Sequence, residues 1–180
     1  MWNSIIIISI VGTLAHFLYD ISNHNKIIGL FTAVNESTWE HIKIAITPTL
    51  LWGLYDGYMY GSNSNYFIAK LCSLLVITFV IPLIFYSQKI FFKKDFALIN
   101  ILSFYVAIIL GQLTFYKIID LTEFDYIYNY LSCIGLFIFF GAYLLLTLLP
   151  LEIFLFKDPI SKKYGFKGHT EDFSIVHKNK

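Results

Sequence analysis

His16 and Asp20 lie four residues apart in GTLAHFLYD and would share one helical face; Glu36, Glu40, His41 and Lys43 follow within AVNESTWEHIK. Two imidazoles and three carboxylates are the groups that move protons near neutral pH or hold a divalent ion. His16, Asp20, Glu36, Glu40 and His41 are therefore the candidate acid–base set. His16, Asp20, Glu40 and His41 are the candidate ligands if the cofactor is a divalent metal. An Asp20 partner would fix the His16 tautomer and raise its basicity. The chain has no HExxH and no established metal-ligand spacing.

On a helix, Glu36, Glu40, Lys43 and Thr47 form one stripe, and Ser37, His41, Pro48, Trp52 and Asp56 a neighbouring one. Around a bound substrate, Asn35 and Lys43 would supply polar contacts, with Trp39 and Trp52 as apolar walls. The same residues also read as a well-made helix start. Asn35 suits an N-cap, Val34 with Trp39 a hydrophobic staple, Ser37 with Glu40 a capping box, and Glu40 can pair with Lys43. Two features resist a purely structural account. Glu36 and Glu40 are like charges at i,i+4, and His16 lies about one turn inside an apolar helix.

The elements that position these groups follow from composition. Of 180 residues, 57% are hydrophobic and 14% charged, against about a quarter charged in soluble domains. Runs long enough to cross a bilayer, about 20 apolar residues, fall at about 3–20, 37–60, 66–90, 96–117 and 128–150. They lack strand alternation, so the expected fold is an all-α integral membrane protein, a single bundle of five transmembrane helices over residues 1–151. The first run has no Lys or Arg before it and no A-x-A after it, so it is expected to stay as a helix. Pro48 and Pro82 fall inside helices 2 and 3 and should kink them. Residues 27–34 are apolar but only about 12 Å long as a helix, so they should lie along the interface or form a re-entrant piece.

All 13 basic residues are Lys. Those outside the runs or at their ends concentrate in the first and third connections and the tail, including Lys26, Lys89, Lys93, Lys94, Lys157, Lys162, Lys163, Lys167, Lys178 and Lys180. The positive-inside rule then places the N-terminus outside and a lysine-rich tail, 152–180, in the cytoplasm. That tail could be soluble or held on anionic lipid. The net charge of +1 argues against a nucleic-acid partner and leaves membrane lipid as the expected one; protein partners are unknown. Cys72 and Cys133 sit inside apolar runs and read as buried hydrophobes. Asp56 is expected at interfacial water among tyrosines, and His24, His169 and His177 in solvent. Asn100, Ser103, Ala107 and Gly111 line a face suited to helix packing.

HFLYD followed by GLFTAVNESTWEHIK, with FKDP and KYGFKG in the tail, resembles an uncharacterised family of small bacterial multi-pass membrane proteins. The resemblance implies an integral protein of the bacterial inner membrane and no activity. The functional expectation is a polar His/Glu/Asp pocket at the cytoplasmic ends of helices 1 and 2 that binds or modifies a lipid-like substrate. The alternatives are a small transporter or channel component, or a structural subunit of a membrane complex.

Overall fold

Continuous apolar runs punctuated by Gly, Asn and Asp fold into helices α1 (Trp2–Ile21), α2 (Lys26–Gly29), α3 (Thr38–Tyr60), α4 (Tyr66–Phe92), α5 (Ala97–Ile119) and α6 (Tyr126–Leu148), with a 3-10 turn at Gly165–Gly168. The structure is a computed structural model, and it describes residues 1–94 and 96–169. His177, Lys178 and Lys180 therefore lie outside the described residues. The described part of the chain contains no strand beyond an isolated antiparallel bridge between Lys157 and Tyr164.

Four helices, α1, α4, α5 and α6, are long and apolar enough to cross a membrane. Their outward faces carry Ile6, Ile10, Leu14, Phe79, Leu83, Leu98, Phe137 and Ile138, all exposed. Only a non-aqueous solvent accommodates such a surface at this density. The long helix α3 differs because it carries Glu40, Lys43 and Asp56, and all three are buried. Its charges are matched within the protein: Glu40 pairs with Lys43 at 2.8 Å, and Asp56 with Lys70 of α4. The expectation that Asp56 reaches interfacial water is thereby corrected. Lys70 also lies 4.3 Å from the centre of the Phe115 ring, so that cation is enclosed on both sides.

α3 occupies the middle, against α1, α4 and α5, while α4 and α5 form the most extensive helix pair. Small residues set these distances. A Cβ on Gly111 would lie 2.7 Å from Ile77 Cγ1, and one on Gly12 2.5 Å from the Ile44 carbonyl oxygen. Pro48 has no N–H to offer that carbonyl, so α1 closes on a backbone acceptor that its own helix leaves under-used. Ser103, Ala107 and Gly111 are buried, as a packing face requires.

The connections gather at two ends. Asn65 accepts from Phe124 N at 2.8 Å and donates to the carbonyls of Ile118, Leu121 and Thr122, tying turn 61–65 to connection 120–125. At the other end the segment 22–37 meets the tail. Residues 26–34 form the short α2 and then a bent stretch in which Thr32, Ala33 and Val34 are buried. Side chains satisfy its backbone: Val34 N–H donates to Glu40 at 3.0 Å, Lys43 donates to the Gly29 carbonyl at 2.8 Å, and Tyr143 to that of Leu30 at 3.1 Å. A protein-covered turn of this kind is the condition under which non-helical backbone survives at membrane depth.

Candidate functional site

The helix start departs from the expected capping. Ser37, not Asn35, is the N-cap of α3, and its side chain makes no cap bond. Asn35 Oδ1 accepts from Ser37 N at 2.8 Å in an Asx-type turn, and its Nδ2 donates to the Gly165 carbonyl at 2.9 Å. Amides at and just before the start of α3 find partners in the tail: Trp39 N donates to the Leu155 carbonyl at 3.0 Å, and Glu36 N to Asp158 at 3.0 Å. Glu40 does not close a capping box. It turns inward to Val34 N and Lys43, because one helical turn in, its Cβ already points into the protein.

Glu36 precedes the helix, and its side chain swings the other way, toward α1. Its carboxylate lies 3.5 Å from His16 Nε2 through one oxygen and 3.8 Å from His41 Nε2 through the other. The two imidazole centroids are 5.8 Å apart. His41 Nδ1 sits 3.0 Å from the Ser37 carbonyl, which can only accept, so Nδ1 carries a hydrogen and Nε2 is the nitrogen turned toward Glu36. His16 Nδ1 is buried without a hydrogen-bond partner.

All three groups line a cavity of about 430 Å³. Its other walls are mainly apolar, with Phe17, Ile44, Ile81, Phe85, Ile101 and Phe104 drawn from four helices. Thr13 and Tyr105 hydroxyls meet at 3.2 Å on one side, and Thr38 and Tyr86 at 3.3 Å nearby. Chemically, a carboxylate between two imidazoles can carry a proton between them.

A family model matches residues 1–166. The chain belongs to the family of unknown function DUF6512. No curated protein and no solved structure matches it. The match takes in the first block of this DUF6512 chain whole and the tail block as far as Phe166, and the fold brings the two into contact. FKDP and KYGFKG close over NESTWEH, with Phe156 packed 5.0 Å from Trp39. Asp158 is buried and also caps its own turn by accepting from Ile160 N and Ser161 N. Through residue 169 the tail is thus a folded cover, and not the loosely ordered tail that was one of the two expectations.

The remaining candidates are placed elsewhere in this DUF6512 member. Glu40 and Lys43 buttress the 26–34 turn. Trp39 is enclosed between Tyr143 and Phe156, with its indole N–H 3.4 Å from the Thr147 hydroxyl. Trp52 lies against Tyr55, with ring centroids 4.9 Å apart and tilted by 46°, further along α3. Neither tryptophan lines the cavity. Asn35 binds the tail. Asp20 points away from His16 to His24 and His169, each Nε2 being 3.5 Å from Asp20 Oδ1. His24 and His169 are therefore paired, not merely solvated. Sequence reasoning missed Thr13, Thr38 and Tyr105. Thr13 is one turn from His16 and Thr38 lies within the motif, so helical spacing could have found both; nothing local marks Tyr105.

Proposed function

We propose that this protein is a membrane protein whose His16–Glu36–His41 cavity binds a lipid-like, amphipathic substrate and works on its polar head by acid–base chemistry. The observation that carries the reading is two imidazole Nε2 atoms aimed at one carboxylate on the edge of an otherwise apolar cavity. An acyl or prenyl chain suits the Phe17, Ile81, Phe85 and Phe104 walls, and a head group suits the polar edge. His41 Nε2 is the base, Glu36 stabilises the imidazolium that forms, and His16 is the second proton-transfer group. In this reading α3 is a fifth span shielded by its neighbours. The end holding segment 22–37 and the tail faces the bacterial cytoplasm, following the lysine excess.

A through-path for transport would have to cross a layer that is mainly apolar, although Thr49, Ser73 and Gln112 are also buried there. Ile8, Ala45, Ile46, Leu74, Ile77 and Ile108 are fully buried and lie, along their helices, between the cavity residues and the Asp56–Lys70 pair. The Thr47 hydroxyl at that level is bonded to Tyr143 at 2.8 Å.

Native mass spectrometry of protein released with its lipids tests the reading. Wild type should retain a bound lipid, and Ala97→Trp, which fills the cavity while leaving its histidines intact, should lose it. Equal lipid in the two proteins defeats the proposal.

A further inference from the structure

Asp20, His24 and His169 converge at the opposite edge of the same turn, away from the cavity. One ligand atom from each lies within 4.8 Å of the other two. The geometry points to a second, separate site at which Asp20, His24 and His169 bind a zinc-class divalent ion that fastens the tail to the end of α1.

Spacing is the first support. Both Nε2-to-Oδ1 separations are 3.5 Å, longer than the roughly 2.7–2.9 Å of a charge-assisted hydrogen bond. Zinc–ligand bonds of about 2.0–2.1 Å arranged tetrahedrally put neighbouring ligand atoms about 3.3–3.4 Å apart. Both carboxylate-to-imidazole separations are therefore close to the edge length of a coordination shell, and all three ligand atoms lie within 4.8 Å of one another.

Tautomer is the second. His169 Nδ1 is 2.9 Å from the Val34 carbonyl, which can only accept. A hydrogen is thereby placed on Nδ1, which leaves Nε2, beside Asp20, as the nitrogen that can take a cation. A backbone carbonyl holding the outer nitrogen of a ligating imidazole is the usual supporting arrangement at metal sites.

Backbone is the third. Asn23 and His24 both take left-handed φ values, 53° and 60°, a conformation that costs non-glycine residues energy and needs compensation. The turn is held by Asn23 N–H to the Asp20 carbonyl at 3.1 Å and His24 N–H to that of Tyr19 at 3.0 Å. Its consequence is to fold His24 back, so that its ring centroid lies 4.3 Å from that of His169. Two imidazoles this close with one exposed carboxylate are best matched by a shared cation that takes both as neutral ligands. Nitrogen and oxygen donors, three in number, select zinc or its cobalt and nickel analogues over calcium or magnesium.

The test uses full-length protein in detergent, purified with a histidine-free tag and stripped with chelator, then titrated with Co²⁺ while visible absorption is followed. Wild type should bind Co²⁺ with a tetrahedral d–d band and exchange it for Zn²⁺. His169→Ala and His24→Asn should each bind it at least about tenfold more weakly. Asn tolerates the left-handed backbone, so the second variant keeps the turn without its imidazole. His41→Ala should keep the band, which separates this site from the cavity. His24→Cys should add a thiolate-to-cobalt charge-transfer band in the near ultraviolet. Unchanged cobalt binding in His24→Asn and His169→Ala, or no binding by wild type, overturns the assignment.

Discussion

Glu36 and Glu40 stand one helical turn apart, on opposite sides of the point where the chain enters α3. Glu40 is 2% exposed, and its Oε2 accepts from both the Lys43 ammonium and Val34 N–H. Glu36 retains 27% side-chain exposure and faces only two imidazoles at 3.5 and 3.8 Å. One carboxylate holds a turn of backbone in place; the other is available to something that enters the cavity. The contrast shows that the presence of a carboxylate in such a motif does not identify a site. What separates these two is burial against a matched cation on one side and an open face beside imidazoles on the other.

The strongest way to break that contrast is to remove the partner of the committed carboxylate. Lys43→Met strands a buried Glu40 and removes the donor to the Gly29 carbonyl. A lone buried charge left this way typically destabilises by about 3–5 kcal/mol, which chemical unfolding in mixed micelles would read. Glu40→Gln combined with Lys43→Met should recover part of the loss, since the uncompensated charge is then gone. If Lys43→Met unfolds at the wild-type midpoint, the buttress is not structural.

Asp158→Ala comes next. Its carboxylate accepts from Glu36 N, Ile160 N and Ser161 N, so the substitution orphans three amides at the cover over NESTWEH. Buried donors left without acceptors cost about 1–3 kcal/mol. Hydrogen exchange should quicken across residues 150–169 while α4 and α5 stay protected. Uniform quickening throughout would mean that the cover is not a separate layer. Tyr143→Phe is a milder version at the other face of the turn. It removes the hydroxyl that links Thr47 and the Leu30 carbonyl, for about 1 kcal/mol, read by the same unfolding assay.

These contrasts also mark how far the sequence could be read. The expected runs at 37–60, 66–90, 96–117 and 128–150 became helices at Thr38–Tyr60, Tyr66–Phe92, Ala97–Ile119 and Tyr126–Leu148. Hydropathy and punctuation by Gly, Asn and Asp are local signals and survive folding. The convergence of His16, Glu36 and His41 was legible as a set of residue types close in sequence. Which carboxylate would take which side was not, because that depends on whether a residue sits before or inside the first helical turn. Least legible were the contacts carried by distant residues. Asp158 reaches Glu36, His169 reaches Val34, and Lys70 reaches Asp56 across separate helices; no spacing rule encodes those pairings.

The smallest expected change in stability, and the sharpest test of the comparison, belongs to Glu36→Gln. The group is partly exposed and its ion pairs with histidine are long, so its loss should move unfolding by about 1 kcal/mol or less. The amide keeps the size and one acceptor oxygen but cannot balance a cationic imidazole or accept a charge-assisted bond from a polar head group. Such bonds contribute about 1.5–3 kcal/mol, so the fraction of protein carrying lipid in native mass spectra should fall about tenfold at limiting lipid. Stability nearly intact with occupancy reduced is the signature of a carboxylate reserved for a ligand. A melting loss as large as that of Lys43→Met, with occupancy unchanged, would make Glu36 a second buttress and leave the cavity without an anionic group to offer.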